Sequence, residues 1–169
     1  MQAKITRDKH LKEVIKQLDN VNTKTLRVGI FPESGDLEMI ARVQEFGATI
    51  RVTPKMRAYL HRRGLHLRAT TDTITIPERS FIRGGFRVNK NKFVRHYKEM
   101  FTKSLEERVN VEVVTNRMGS ELAGDIQDYA VDLRKPENHP FTIAQKGSSN
   151  PLVDTGRMIG AITHKVEKQ

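Results

Sequence analysis

The sequence predicts a single α+β domain, with a mixed or antiparallel sheet packed against two long helices and an extended basic loop or hairpin. Segments in which apolar residues alternate lie mostly before residue 77, and segments in which they recur every three or four positions lie mostly after residue 85. Between them, residues 73–86 (TITIPERSFIRGGF) combine a strand-like start, a proline and a Gly-Gly pair. At 169 residues the chain can bury a core of its own.

Strands are predicted where β-branched residues concentrate: residues 25–31, 49–53, 70–76, 141–144 and 162–166. Each of the first three is ended by a proline, which cannot donate a hydrogen bond to a strand ladder. The pieces at 49–53 and 71–76 lie on either side of a basic excursion. We therefore expect these two to pair antiparallel.

Helices are predicted where the apolar spacing is three or four: residues 7–19, 36–46, 91–108, 116–134 and 155–159. Asp36 and Asp154 precede the second and the last of these helices and are placed as their N-terminal caps. Gly47 lies where a left-handed C-terminal cap is expected. Gly84 and Gly85 are predicted to break the chain before the first long helix.

The segment 55–68 (KMRAYLHRRGLHLR) is the hardest to assign from its pattern. One helical turn, a hairpin arm and a mobile basic loop are all compatible with it. We predict that it protrudes as a basic loop or hairpin from the single domain 1–169. Residues 146–151 (KGSSNP) are predicted to be a flexible connection.

Composition excludes several classes of protein. No apolar run approaches the roughly 18 residues of a membrane span, and the charged N-terminus lacks the apolar core of a secretion signal. Neither a membrane location nor secretion is therefore expected. Cysteine is absent, which excludes disulfides, thiol catalysis and cysteine metal sites, and is typical of a chain made in a reducing cytosol.

The formal net charge of +10 is concentrated in the middle of the chain. Residues 51–100 carry a charge of +10 (13 basic and 3 acidic), whereas residues 1–50 carry +1 (8 and 7) and residues 101–169 carry −1 (9 and 10). Such a band attracts phosphate groups or an acidic protein surface.

No catalytic constellation is predicted. Residues 152–156 (LVDTG) match the aspartic-protease pattern, but that chemistry needs a second aspartate loop, and only 13 residues follow Gly156. His61 and His66 are five positions apart, a poor spacing for one helical face, with no nearby carboxylate to complete a metal site. A P-loop and a nucleophile elbow are also absent. We therefore expect no enzyme, no cofactor and no metal.

Basic side chains form the strongest candidate site. Seven of them are predicted to contact a partner or the wall of a DNA channel: Arg57, Arg62, Arg63, Arg68, Arg87, Lys90 and Lys92. Tyr59 and Phe86 lie among them, as in proteins that bind single strands, although no recognised nucleic-acid motif frames the set. Three acids at helical spacing (Asp125, Asp128 and Asp132) are interpreted as a solvated helix face.

Three segments in this order resemble a family of small neck or tail-completion proteins of tailed bacteriophages, the virion morphogenesis proteins of the head–tail joining type. They are residues 43–52 (VQEFGATIRV), 76–83 (IPERSFIR) and 150–162 (NPLVDTGRMIGAI). The family has E-[FY]-G after a helix, IP-x-R-x-F-[ILM]-R before a long helix, and L-x-D-T-G-x-[LM] near the C-terminus. The chain departs from the family at Ser80, where proline is common, and in the length of the insertion 55–68.

The resemblance implies a structural virion protein without enzymatic activity, assembled in the host cytoplasm into a hexameric ring around the DNA channel, in the neck or at the head-proximal end of the tail. Its partners would be copies of itself, the adjoining connector, tail-terminator or tail-tube proteins, and, without sequence specificity, the passing DNA. The matched residues that determine the fold would be Gly47, Pro77, Phe81, Asp154 and Gly156. The alternative, which rests on the basic band alone, is a nucleic-acid-binding accessory protein.

Overall fold

The protein is α+β, as predicted. The computed structural model describes residues 2–168, which form seven α-helices and four strands. In chain order these are α1 Gln2–Asn22, β1 Lys24–Gly29, α2 Asp36–Phe46, β2 Ala48–Arg51, α3 Pro54–Arg62, β3 Thr73–Ile76, α4 Phe81–Glu106, α5 Val111–Asp132, α6 Pro140–Lys146, α7 Arg157–Gly160 and β4 Thr163–Lys168.

The strands form two separate two-stranded antiparallel sheets. In the first, β1, which follows α1, pairs with the last strand β4 from Lys24↔Lys168 to Gly29↔Thr163. The second joins β2 to β3, from Ala48↔Ile76 to Arg51↔Thr73, which confirms the predicted antiparallel pairing around the basic excursion. The β1–β4 sheet lies against α5, so closely that a Cβ on Gly119 would come 2.5 Å from His164 Cδ2.

The two long helices α4 and α5 pack together along their length and provide most of the core. The pair was predicted, but α4 begins at Phe81 and not near residue 91, so the prediction that Gly84 and Gly85 break the chain is wrong. Both glycines lie in the first turns of α4. A Cβ on Gly84 would lie 2.8 Å from Tyr129 Oη, and one on Gly85 would lie 3.2 Å from Ile126 Cα. Glycine therefore serves close helix packing here.

The core lies where α2, α4, α5 and α7 meet. Phe81, Ile126 and Ala130 are almost completely buried, together with Ile162 just before β4. The short helix α7 adds Met158 and Ile159 to the same cluster. Because the start of α4 and the C-terminal segment share one apolar cluster, the two ends of the fold depend on each other.

Several sequence-based assignments are corrected by the structure. The segment 55–68 begins as helix α3, because Thr53 caps its start and Pro54 takes its first position, and continues irregularly from residue 63. Residues 141–144, predicted as a strand, belong to α6, which likewise starts at a proline and ends at a left-handed Gly147. Asp154 does not cap the last helix, because α7 begins three residues later, at Arg157, and Gly156 is its N-cap.

Candidate interaction site

The first two family-like segments are joined by one buried carboxylate. Glu45, at the end of α2, is only 4% exposed. Its carboxylate accepts hydrogen bonds from Ser80 Oγ at 3.0 Å, from the backbone N–H of Ile82 at 2.8 Å and from that of Arg83 at 3.1 Å. These are groups of the first turn of α4, whose N–H groups have no partner within the helix. Glu45 thus caps α4 from another element, and its negative charge lies at the positive end of the helix.

A buried arginine connects the same junction to the C-terminal half of the chain. Arg79 is 3% exposed and donates to Pro136 O and Glu137 O at 2.7 and 2.9 Å. It also donates to the side chains of Gln44 and Asn138, at 2.7 and 3.0 Å. Burial lowers the pKa of the Arg79 guanidinium, but arginine stays charged at any ordinary pH.

The third family-like segment reaches the junction through backbone contacts. Asn138 Nδ2 donates to Pro151 O at 3.3 Å, and Lys146 Nζ donates to Asn150 O at 3.0 Å. Asn150 Oδ1 in turn accepts from the N–H groups of Leu152 and Val153. Burial lowers the pKa of the Lys146 ammonium. The segment 146–151 is therefore tied to its surroundings by side-chain hydrogen bonds.

The predicted fold-determining residues behave differently from one another. Phe81 is fully buried, and Gly47 has a φ of 72° with no room for a side chain, since a Cβ would lie 2.9 Å from Ile76 O. Gly156 has a left-handed conformation, with φ 78° and ψ −9°. Pro77 follows β3 directly and is half-buried. Asp154 is exposed, so the structure gives its side chain no part in the core.

The chain between the first two family-like segments is basic. We call residues 48–76 the basic arm; it comprises β2, α3, the irregular segment 63–72 and β3. Arg57 holds the arm together, because its guanidinium donates to Arg68 O and Thr71 O at 2.7 Å each and to Leu67 O at 3.3 Å. Arg57 therefore has a structural role within the arm, and its predicted contact with a partner stays a prediction.

The other Arg and Lys residues of the arm are all exposed: Arg51, Lys55, Arg62, Arg63 and Arg68. The guanidinium of Arg63 lies over the Tyr59 ring, 5.5 Å from its centroid, and Tyr59 is itself half-exposed. His61 and His66, which looked unrelated in the sequence, have their Nδ1 atoms 2.7 Å apart, because the turn after α3 brings them together. The tip of the arm thus combines exposed cations with aromatic rings.

The predicted basic residues of α4 form a second group. Arg87 and Lys90 are exposed, whereas Lys92 donates to both oxygens of Asp125 on α5, at 2.7 and 2.9 Å. The hydrogen bond with Asp125 raises the pKa of the Lys92 ammonium. Sequence reasoning missed this pairing because 33 positions separate the two residues. Lys92 is therefore engaged within the chain, and the predicted partner contacts of the seven residues stay predictions.

Exposed apolar side chains mark two more surfaces that the sequence did not reveal. On α1, Val14 and Val21 are half-buried, but Leu11, Ile15 and Leu18 on the adjacent strip are 58, 49 and 42% exposed. The helical spacing of these residues is visible in the sequence, but spacing alone does not show which strip of the helix faces the core. On α2, Met39 and Phe46 are 63 and 59% exposed. Such surfaces are typical of contacts between proteins.

Chemistry-bearing clusters are scarce on the described part of the chain. Within residues 2–168 no group of three or more histidine, aspartate or glutamate side chains is placed to hold a metal ion. Over the same range, no helix combines the length and the apolarity needed to cross a bilayer. Comparisons of the chain with protein-family models, with curated proteins and with solved structures found no match.

Proposed function

We propose that the protein is a structural subunit of a ring in the neck, or at the head-proximal end of the tail, of a tailed bacteriophage. In this role it surrounds the DNA channel, contacts copies of itself and an adjoining connector, tail-terminator or tail-tube protein, and catalyses no reaction. It is made in the host cytoplasm and ends in the virion, and six copies complete the ring.

The observation that carries the proposal is the junction of the three family-like segments. Glu45, Arg79 and Arg83 come from the first two, and their hydrogen bonds join α2 to α4. Leu152 and Ile159 come from the third and are buried in the same core as Phe81. The residues that match the pattern of the phage neck proteins also build one packed junction. This packing supports a fold shared with that family. Glu45, Arg79 and Arg83 do not resemble a catalytic set, because each is hydrogen-bonded within the junction.

The surfaces of the molecule also favour a role in assembly. A ring subunit must present two different surfaces to its neighbours on either side. The basic arm carries exposed cations, and the exposed apolar strip of α1 lies on another element. Large apolar side chains left half-exposed or more on α1 and α2 would be covered by neighbouring subunits or rings.

The proposal is tested by removing the gene from the phage genome that encodes it and imaging the resulting particles. Loss of a joining ring predicts DNA-filled heads and separate tails, with infectivity restored by the protein supplied in trans. The matched control is the substitution Asp154→Asn, which removes the carboxylate that an aspartate-dependent activity would need. This variant should restore infectivity fully when it is supplied in trans.

A second candidate function is binding of nucleic acid, favoured by the exposed cations at the tip of the arm. Arg62, Arg63 and Arg68 are exposed, and the Arg63 guanidinium lies over the half-exposed Tyr59 ring, which offers a stacking surface. Phosphate contacts would make the affinity fall steeply with salt, by a slope proportional to the number of contacts. Titration of free protein with single- and double-stranded DNA at several salt concentrations tests this role. Triple substitution of the three arginines by glutamine should flatten the slope, whereas Arg57→Gln should change it less.

A further inference from the structure

One glycine in the middle of α5 has no explanation within the chain. Glycine is disfavoured inside helices because it gains conformational freedom when the chain unfolds. Gly84, Gly85 and Gly119 are each explained by a neighbour that a Cβ would contact at 3.3 Å or less, but a Cβ on Gly124 would meet nothing within 4 Å. A small residue that the fold does not need leaves a flat place on the helix where another chain can approach closely.

The residues around Gly124 form an acidic outer face on α5. Asp128 and Val131 follow Gly124 at spacings of four and seven, so all three lie on one side of the helix. Asp128 is exposed, as is Asp132 one turn further on, and Val131 is 42% exposed. Asp125 at the edge of this face is already paired with Lys92. The outer face therefore offers an apolar contact and two carboxylates.

The basic arm carries a surface of opposite charge. An open groove of about 750 Å³ runs along α3, with Val52, Pro54, Ala58 and Leu67 as its apolar lining. Arg62 and His61 border it. Ala58 is exposed and, like Gly124, leaves little side chain between its own helix and an approaching one.

We propose that α3 of one copy of this chain packs against the outer face of α5 of a second copy. Ala58 faces Gly124, so the distance between the two helix axes lies at the short end of the usual range of about 8–10 Å. Arg62 then lies beside Asp128 and Asp132, and Val131 enters the apolar groove. The inference rests on the proposed ring, and it names the contact by which the ring closes. The two surfaces differ, so the contact runs head to tail and repeats around a closed ring.

The absence of cysteine from the chain allows a direct test by disulfide cross-linking. A disulfide requires Cα atoms about 4–7 Å apart, which only close helix packing provides. The double variant Ala58→Cys/Gly124→Cys should give a ladder of dimer, trimer and higher bands that stops at the ring number after mild oxidation. Each single variant should stop at a weak dimer. Ala58→Cys/Thr102→Cys, with its second cysteine at an exposed site near the C-terminal end of α4, beside the start of α5, is the matched control.

The charges are tested separately from the packing. Arg62→Glu should reduce cross-linking in the double-cysteine background several-fold, and adding Asp128→Arg should restore it, because the pair is then reversed. Circular dichroism of each variant checks that the fold is retained. A salt-sensitive DNA complex with no cross-linked ladder would assign the arm to nucleic acid instead.

The outcome also separates this contact from the proposed function. The cross-linking is done both on concentrated free protein and on purified particles. Cross-linked bands larger than the dimer, which the single-cysteine variants do not give, support the contact if they occur in either sample. No ladder in either sample overturns it, and the ring function survives that result if the protein is present in the particles.

Discussion

Glu45 Oε1 accepts a hydrogen bond from Arg83 Nε at 2.9 Å, while the same carboxylate accepts from the backbone N–H of Arg83 at 3.1 Å. Arg83 Nη2 completes the contact by donating to the backbone O of Glu45 at 3.0 Å. A side chain at the end of α2 thus fixes both the backbone and the side chain of the first turn of α4. The position of the long helix is set by this pair.

Replacement of Glu45 should destabilise the whole fold. Glu45→Ala leaves buried N–H groups at the start of α4 without an acceptor, and we expect a loss of about 2–4 kcal/mol in the free energy of unfolding. Glu45→Gln keeps one acceptor oxygen and should cost less. Urea denaturation measures both. Glu38→Gln on the same helix is the control and should change the free energy of unfolding by no more than about 0.5 kcal/mol. Equal effects at the two positions would contradict the capping role.

Arg79→Lys should also be destabilising, even though the charge is kept. Lysine cannot reproduce a planar fork that reaches Pro136 O, Glu137 O and Gln44 together, and we expect a loss of about 2–3 kcal/mol. The exposed Arg62→Lys serves as the control, with an expected change within about 0.5 kcal/mol. Thermal and urea unfolding of the two variants should rank them clearly. A neutral Arg79→Lys would mean that the buried contacts are not needed.

Alanine at two helical glycines should have opposite effects on stability. Gly84→Ala places a methyl group 2.8 Å from Tyr129 Oη. We expect a net loss of about 1–3 kcal/mol, because overpacking outweighs the better helix propensity. Gly124→Ala meets nothing within the chain and should gain up to about 1 kcal/mol. Melting temperatures measured at low protein concentration test the contrast. A higher melting temperature for both variants would show that α4 and α5 are not closely packed at Gly84.

Replacement of Arg57 should loosen the arm without changing the free energy of unfolding of the whole domain. Arg57→Gln removes the donors to Leu67 O, Arg68 O and Thr71 O, so amides in segment 63–72 should exchange several-fold faster with solvent. Arg62→Gln removes the same charge from the same helix and is expected to leave exchange unchanged. Hydrogen exchange followed by mass spectrometry resolves the segment. Faster exchange in both variants, or in neither, would contradict the clamp.

Much of the local structure follows from short-range patterns. Helix α2 was predicted with its observed bounds, but the predicted caps were wrong: Gly35 is the N-cap, Asp36 makes no capping hydrogen bond, and Gly47 combines a φ of 72° with an extended ψ of 171°. The pairing of β2 with β3 was predicted correctly. The start of α4 was missed because a Gly-Gly pair usually marks a turn, whereas here it accommodates Tyr129 and Ile126. That reason lies in another helix and has no local signal.

For the candidate site, charge alone does not show which cations are engaged within the chain, and the predicted contacts stay predictions. Arg57 binds backbone carbonyls within its own arm, and Lys92 binds an acid on the neighbouring helix. Arg62 and Arg68 are equally basic in the sequence, yet they are exposed at the tip. The difference depends on tertiary placement. The resemblance to phage neck proteins, with the ring that it implies, stays a prediction.

The number of copies of this protein in each purified phage particle tests the central claim most directly. Quantitative mass spectrometry against labelled peptides, normalised to the major capsid protein, gives that number. A ring subunit predicts a fixed count of six per particle, retained after nuclease and high-salt washing. A protein that is abundant in infected cells but missing from washed particles would contradict the structural role.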